Sequence, residues 1–351
     1  MIYCKPFGSF GGKTVYEYTL TNKNGMSAGI LSYGAIIRFL NVPDKKGAVC
    51  DVVCGYDDLR SYIEGDGYQG SVVGRFANRI AGATFELNGV TYNLYKNDND
   101  NTLHGGQMGL NTKVYTVKED ADNNSLILST VMEDMEEGYP GRVELTVTYT
   151  LTEDNALSIR YQAKTDKDTL INITNHAYFN LSGFASGSVL DHLLQLDADT
   201  YLPTNDVLIP TGELRSVEGT PFDFRVAKPL AKDFYADCID LKLAGGYDHC
   251  LNFVGGETKE PILRGTLTDK VSGRTMSVIT NQPCVQLYSG NFMKNPDYPF
   301  KGGFPQHTQN ALCLETQHMP DAIHHPNFTN AVLKAGEEYD YTTIYAFGNL
   351  D

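Results

Sequence analysis

Apolar and polar residues alternate with a period of two along much of this chain. Val143, Leu145, Val147 and Tyr149 alternate against Glu144, Thr146 and Thr148, and Leu157, Ile159, Tyr161 and Ala163 repeat the pattern after a Glu153-Asp154-Asn155 turn. Successive side chains of an extended strand point to opposite faces, so these runs predict antiparallel neighbours with one buried face each. In Phe85-Glu86-Leu87-Asn88-Gly89-Val90-Thr91-Tyr92, Asn-Gly lies between two alternating runs. Those two residues suit the positive φ angles of a type I′ turn, which predicts a hairpin. Strands are also predicted over 112–119 and 126–132, parted by Asp120-Ala121-Asp122-Asn123-Asn124, and over 190–196, 201–209, 263–267, 275–279 and 285–288. Turn chemistry at Asn22-Lys23-Asn24-Gly25 and Pro43-Asp44-Lys45-Lys46-Gly47 divides the N-terminal stretch into further short strands. The tail from Glu338 to Phe347 alternates tyrosines and threonines and can close a sheet. Two stretches, 57–70 and 211–236, lose the pattern and read as irregular. No apolar series at helical spacing lasts beyond two or three turns, so helices should be few and short. The expected fold class is all-β with antiparallel strands.

Composition narrows the picture. A chain of 351 residues could hold two domains, but no low-complexity linker, fixed-period repeat or composition shift divides it, and one domain over 1–351 is expected. The hydrophobic fraction of 41% and charged fraction of 20% suit a globular protein, and no stretch is apolar enough to span a membrane. Met1 to Phe10 has no apolar core of a signal peptide, so a cytoplasmic location is expected. A net charge of -15 repels phosphate backbones and anionic lipid, which argues against nucleic-acid and membrane partners. The seven cysteines are scattered, with no Cys-x-x-Cys pair, and read as reduced thiols.

Candidate chemistry gathers in a few polar clusters. His176 lies between polar and aromatic residues in Thr174-Asn175-His176-Ala177-Tyr178-Phe179-Asn180-Leu181, where a strand-like segment breaks. Glu315 follows the apolar run Ala311-Leu312-Cys313-Leu314, so it either faces outward from an alternating strand or is buried with partners. His104 precedes two glycines that admit a close backbone or ligand. Asp248 and His249 follow Gly245-Gly246-Tyr247, and Arg75 and Arg79 sit beside small residues, where both could form surface ion pairs. Taken singly, each such histidine is more often a satisfied or surface residue than a catalyst. His318, His324 and His325 invite a zinc reading, but their spacing matches neither His-Glu-x-x-His nor a facial triad, and no metal is expected. Phosphate-binding glycine loops and Gly-x-Ser-x-Gly are absent.

In order, Gly74-Arg75-Phe76-Ala77-Asn78-Arg79-Ile80, Leu103-His104-Gly105-Gly106, the His176 segment, Tyr247-Asp248-His249, Val285-Gln286-Leu287-Tyr288 and Glu315-Thr316-Gln317 resemble the motifs of the aldose 1-epimerase (galactose mutarotase) family. The resemblance runs from near Phe10 to the C-terminus. It implies a large antiparallel β-sandwich with an open sugar cleft, with which the strand pattern independently agrees. It further implies His176 as general acid, Glu315 as general base, and Asn78, Arg79, His104, Tyr178, Asp248 and Gln286 as sugar contacts. No cofactor is implied, the partner is a small aldose, and a monomer or weak homodimer is expected. The sequence departs from the family pattern at Cys250, where an Asn is usual, and at Ile323-His324-His325-Pro326, where Pro-Asn-His-Pro is usual. Both departures bear on substrate preference.

Such chemistry opens a pyranose by taking the C1 hydroxyl proton while the ring oxygen gains one, and then closes it on the other face. A glutamate of reference pKa about 4.3 and a histidine near 6.5 suit the task, and their proximity is expected to raise the histidine and lower the carboxylate. Three other readings compete. A glycosidase needs two carboxylates about 5–10 Å apart, which Asp248 and Glu315 could supply, but it leaves His176 without a role. A sugar-binding module would not need the pair, and a sugar-phosphate epimerase should carry extra cations that this acidic chain opposes.

Overall fold

The computed structural model describes residues 2–350. The two strongest alternating runs become the strands Val143–Leu151 and Ala156–Thr165, which pair antiparallel with Val147 opposite Tyr161. They lie in a nine-stranded sheet that runs, in spatial order, Thr116–Asp120, Ser125–Met132, Val143–Leu151, Ala156–Thr165, Glu338–Asn349, Arg274–Thr280, Ile262–Thr268, Leu193–Leu196 and Lys228–Pro229. The C-terminal strand is thus not at an edge: it pairs with Ala156–Thr165 on one side and Arg274–Thr280 on the other. A five-stranded meander from Tyr3 to Asp51 forms a second sheet. The third, also five-stranded, is ordered Arg215–Ser216, Ala198–Tyr201, Asp248–Phe253, Cys284–Tyr288 and Cys313–Gln317. One apolar core draws on all three sheets, with Leu20, Ile30 and Leu40 from the meander, Leu128, Val147 and Val278 from the large sheet, and Leu251, Leu287 and Leu314 from the third. Tyrosine hydroxyls tie the layers: Tyr149 donates to Ala35 O at 2.6 Å and Tyr345 to Leu314 O at 2.9 Å.

The Asn-Gly hairpin forms as predicted, with Thr84–Leu87 paired to Val90–Asn93 and φ of 53° and 75° at Asn88 and Gly89. Only three short α-helices occur among the described residues, Leu59–Glu64, Ala231–Phe234 and Ile239–Ala244. The first lies in a stretch whose pattern reads as irregular: Asp58 caps it by accepting from Ser61 N at 2.9 Å, and Leu59 and Tyr62 anchor it. The strand expected over 201–209 is instead Ala198–Tyr201, because the chain turns at Pro203 and folds back through a bridge between Thr204 and Pro210. No helix among the described residues is long and apolar enough to cross a membrane.

Candidate active site

The third sheet divides the apolar core from an open cleft. Antiparallel register sets Asp248 opposite Tyr288 and Tyr288 opposite Cys313, then Cys250 opposite Gln286 and Gln286 opposite Glu315. Residues opposite one another share a face, so Asp248, Tyr288 and Cys313 form one row, and Cys250, Gln286 and Glu315 form the next. The intervening Leu251, Val285, Leu287 and Leu314 point into the main core. Glu315 is therefore buried within an alternating strand, at 2% exposure. The segment carrying His176 is stitched between two neighbours. His176 N donates to Ser71 O at 2.8 Å and Gly70 N to His176 O at 3.0 Å, while Phe179 and Leu312 exchange both main-chain bonds. These bonds bring the imidazole onto the cleft-facing side of the sheet, where its Nε2 lies 3.7 Å from Glu315 Oε1.

The cleft, of about 190 Å³, is lined by seven of the eight residues that the resemblance implies: Asn78, Arg79, His104, His176, Tyr178, Asp248 and Glu315. Gln286, in the row with Glu315, is not itself among the lining residues; it donates from Nε2 to Asp248 Oδ1 at 2.7 Å and so orients an acid that is. Arg79 is the cation of the cleft, with its Nε on Asp98 Oδ2 at 2.7 Å. Arg75, in contrast to the surface expectation, is buried. It donates to Pro140 O and Gly141 O at 2.8 and 2.9 Å and to Glu133 O at 3.1 Å, closing a loop away from the cleft. His249 points into the core against Phe222, with ring centroids 4.6 Å apart. The three C-terminal histidines do not converge: the His318 ring packs edge-on to Tyr341 at 5.1 Å, whereas His324 and His325 both contact Asp321.

Several lining residues escaped the sequence reading, among them Tyr68, Gln69, Tyr288 and Gln306. Tyr68 packs edge-on to the His104 ring at 4.6 Å and lies tilted 5.9 Å from that of His176. It lies in an aperiodic stretch whose one signal is the clustering of glycines, acids and tyrosines. Cys313 places its sulfur 3.4 Å from His176 Nδ1, beneath the imidazole.

Burial overrides mutual attraction in setting the charges. Desolvation lowers His176 to about 4 and raises Glu315 well above the usual carboxylate range, with repulsion from Asp248 adding to the latter. Both directions are opposite to the expectation from proximity alone, because an ion in a dry site loses more hydration than a partner at 3.7 Å restores. Asp248 is likewise raised by burial, and His104 is lowered well below its ordinary value by burial and by His176. His104 is thus neutral, and because its Nδ1 accepts the Asn78 N–H at 3.1 Å, its proton sits on Nε2. That tautomer bears on metal binding. One nitrogen of each histidine and one Glu315 oxygen lie within 4.8 Å of one another. Yet His104 has one nitrogen accepting a main-chain bond and the other protonated, so it offers a hydrogen-bond donor and no ligand lone pair.

Known proteins resemble this chain over nearly its whole length. A family model described as aldose 1-epimerase matches residues 16–346. Galactose mutarotase from Bos taurus is 41% identical over 341 residues, covering 96% of this chain and 95% of its own. Aldose 1-epimerase from Escherichia coli K12 is 36% identical over 333 residues, covering 94% of each. Among solved structures, a GalM/aldose epimerase homologue from C. elegans superimposes with a TM-score of 0.86 at 31% identity, covering 95% of this chain and 98% of that one. Galactose 1-epimerase from Lactobacillus acidophilus gives 0.87 at 26% identity, covering 100% and 99%. The sandwich, the cleft and the full-length likeness together place this chain in the aldose 1-epimerase family, and it is an isomerase.

Proposed function

We propose that this protein interconverts the α and β anomers of free aldohexoses, galactose and glucose among them, with His176 and Glu315 moving the two protons. The observation that carries the reading is the buried pair itself: Nε2 of His176 lies 3.7 Å from Glu315 Oε1, while Glu315 Oε2 has no hydrogen-bond partner among the described residues. The C1 hydroxyl and the ring oxygen are attached to one carbon, so two adjacent proton carriers reach both. The Glu315 carboxylate accepts the C1 hydroxyl, and that bond, with the hydroxyls around it, supplies the stabilisation of the ionised form that burial opposes. The proton displaced from Glu315 is then held by His176, which delivers it to the ring oxygen; closure reverses the transfers. Neutral His104, donating from Nε2, and Arg79 are set to steady the oxygen that gains negative charge, and Asp248, oriented by Gln286, holds a sugar hydroxyl. Asn78 and Tyr178 complete the polar and aromatic wall.

A phosphorylated sugar fits less well. The cleft brings a single arginine, already paired to Asp98, and no lysine among its lining residues, so it offers a phosphate no unpaired Lys or Arg cation. A reducing, cytoplasmic location is part of the proposal, and the seven free cysteines support it. Polarimetry of freshly dissolved α-D-galactose, α-D-glucose and glucose 6-phosphate tests the proposal. Faster equilibration of the free sugars than of the phosphate is expected; acceleration of the phosphate alone would overturn it.

A further inference from the structure

Asp321 is buried at 1% exposure, yet it lies outside the cleft and six residues beyond the base-bearing Glu315. Its main-chain amide donates to Arg79 O at 2.9 Å, and its Oδ1 accepts from Ala81 N at 2.9 Å. One residue therefore grips the Arg79–Ala81 stretch at both ends. The carboxylate is itself held from the outside, since His324 Nδ1 lies 2.6 Å from Oδ1 and His325 Nε2 lies 3.3 Å from Oδ2. Its backbone is left-handed, with φ 56°, a conformation that Asp and Asn tolerate better than most residues. The opposite edge of the gripped stretch pairs with Thr102–Leu103, where Leu103 faces Arg79, and it is this stretch that presents the Arg79 guanidinium to the cleft.

We propose that Asp321 is a positioning residue for Arg79, clamping its peptide to the segment that carries Glu315 so that guanidinium and carboxyl keep one mutual geometry. The proposal rests on the reading of Arg79 as a sugar contact. It also gives a use to the departure at His324, which stands where the family pattern has Asn: its ring is hydrogen-bonded to the clamp from the solvent side. Two hydrogen bonds to one peptide stretch fix position, whereas one alone would leave a hinge, so the acceptor at Oδ1 matters more than the charge.

The test measures kcat and KM for galactose anomerisation in Asp321→Asn, Asp321→Ala, Arg79→Ala and the Arg79→Ala/Asp321→Ala double variant. Asn keeps an acceptor of the same reach and should retain kcat/KM within about threefold, whereas Ala should lose about 10- to 100-fold, the scale of a displaced contact. In the Arg79→Ala background the same Asp321→Ala change should cost less than about threefold, because the residue through which it acts is gone. Equal costs in both backgrounds would overturn the clamp while leaving Arg79 as a contact. Wild-type kinetics in Arg79→Ala would remove that reading of Arg79 and the clamp with it. Should Asp321→Ala be recovered unfolded, His324→Ala loosens the brace without deleting the carboxylate. It should lower kcat/KM about two- to fivefold only when Arg79 is present, and an equal loss without Arg79 would refute the proposal.

Discussion

Replacing Glu315 by Gln separates catalysis from stability more sharply than any other change in this molecule. The side chain is 2% exposed, its Oε2 has no partner among the described residues, and burial with the nearby Asp248 opposes its ionisation. An ion buried without full compensation costs several kcal/mol, whereas a neutral amide in the same space costs about 1–3 kcal/mol. The amide is nearly isosteric and leaves the strand pairing with Gln286 untouched. Stability at pH 7 should therefore hold or rise by about 1 kcal/mol. A positioned proton carrier contributes roughly 10²–10⁴ in rate, about 2.7–5.4 kcal/mol of barrier, and Gln cannot accept the C1 proton. Anomer interconversion followed by polarimetry should fall by that factor. Urea unfolding followed by tyrosine fluorescence, practical because the chain has no tryptophan, should show an equal or higher midpoint. Wild-type kcat/KM in Glu315→Gln would refute the assignment of the base. A rate loss accompanied by several kcal/mol of lost stability would refute the account of the buried carboxyl.

Acidification should lower kcat/KM, starting above the usual carboxylate range. A raised pKa keeps Glu315 protonated to higher pH, so the base form is gained as pH rises, and a profile flat down to pH 4.5 would contradict this. Gln286→Leu should raise KM and cut kcat/KM about tenfold, as expected for a hydrogen bond to an ionisable partner, and unchanged KM would show that Asp248 needs no orienting. Gly105→Ala should destabilise by about 3 kcal/mol or prevent folding. Its φ is +91° and a Cβ would lie 2.1 Å from Gly74 O, a main-chain atom with nowhere to go; a change under about 0.5 kcal/mol in urea unfolding would refute the packing argument.

The strands were readable because their cause is local. Alternation over Val143–Leu151 and the Asn88-Gly89 turn act within a few residues, and the structure follows them. The cleft has no such local cause. Glu315, His176 and Arg79 meet only because the third sheet's register and the 70–73 stitching bring distant segments together, so only the ordered family motifs pointed to them jointly. The bond from Gln286 to Asp248 joins two separate strands, so it could not be read from either one alone. The charge directions of His176 and Glu315 were inverted because proximity is visible in chemistry while depth of burial is not visible in sequence. Tyr68 lies where no period exists to read.

The floor of the cleft is a hydrogen-bonded lattice whose reverse side is core, whereas its rim is made of loops around Asp66 to Gln69, Phe292 and Gln306. A hydrogen-bonded sheet packed on a core cannot widen by one row without unpairing strands, so the spacing between the proposed proton carriers is held by the floor. Phe292, 57% exposed at the rim, carries no such constraint. Efforts to broaden or redirect sugar choice should randomise the rim and leave the floor alone, since the two obey different rules of tolerance to change.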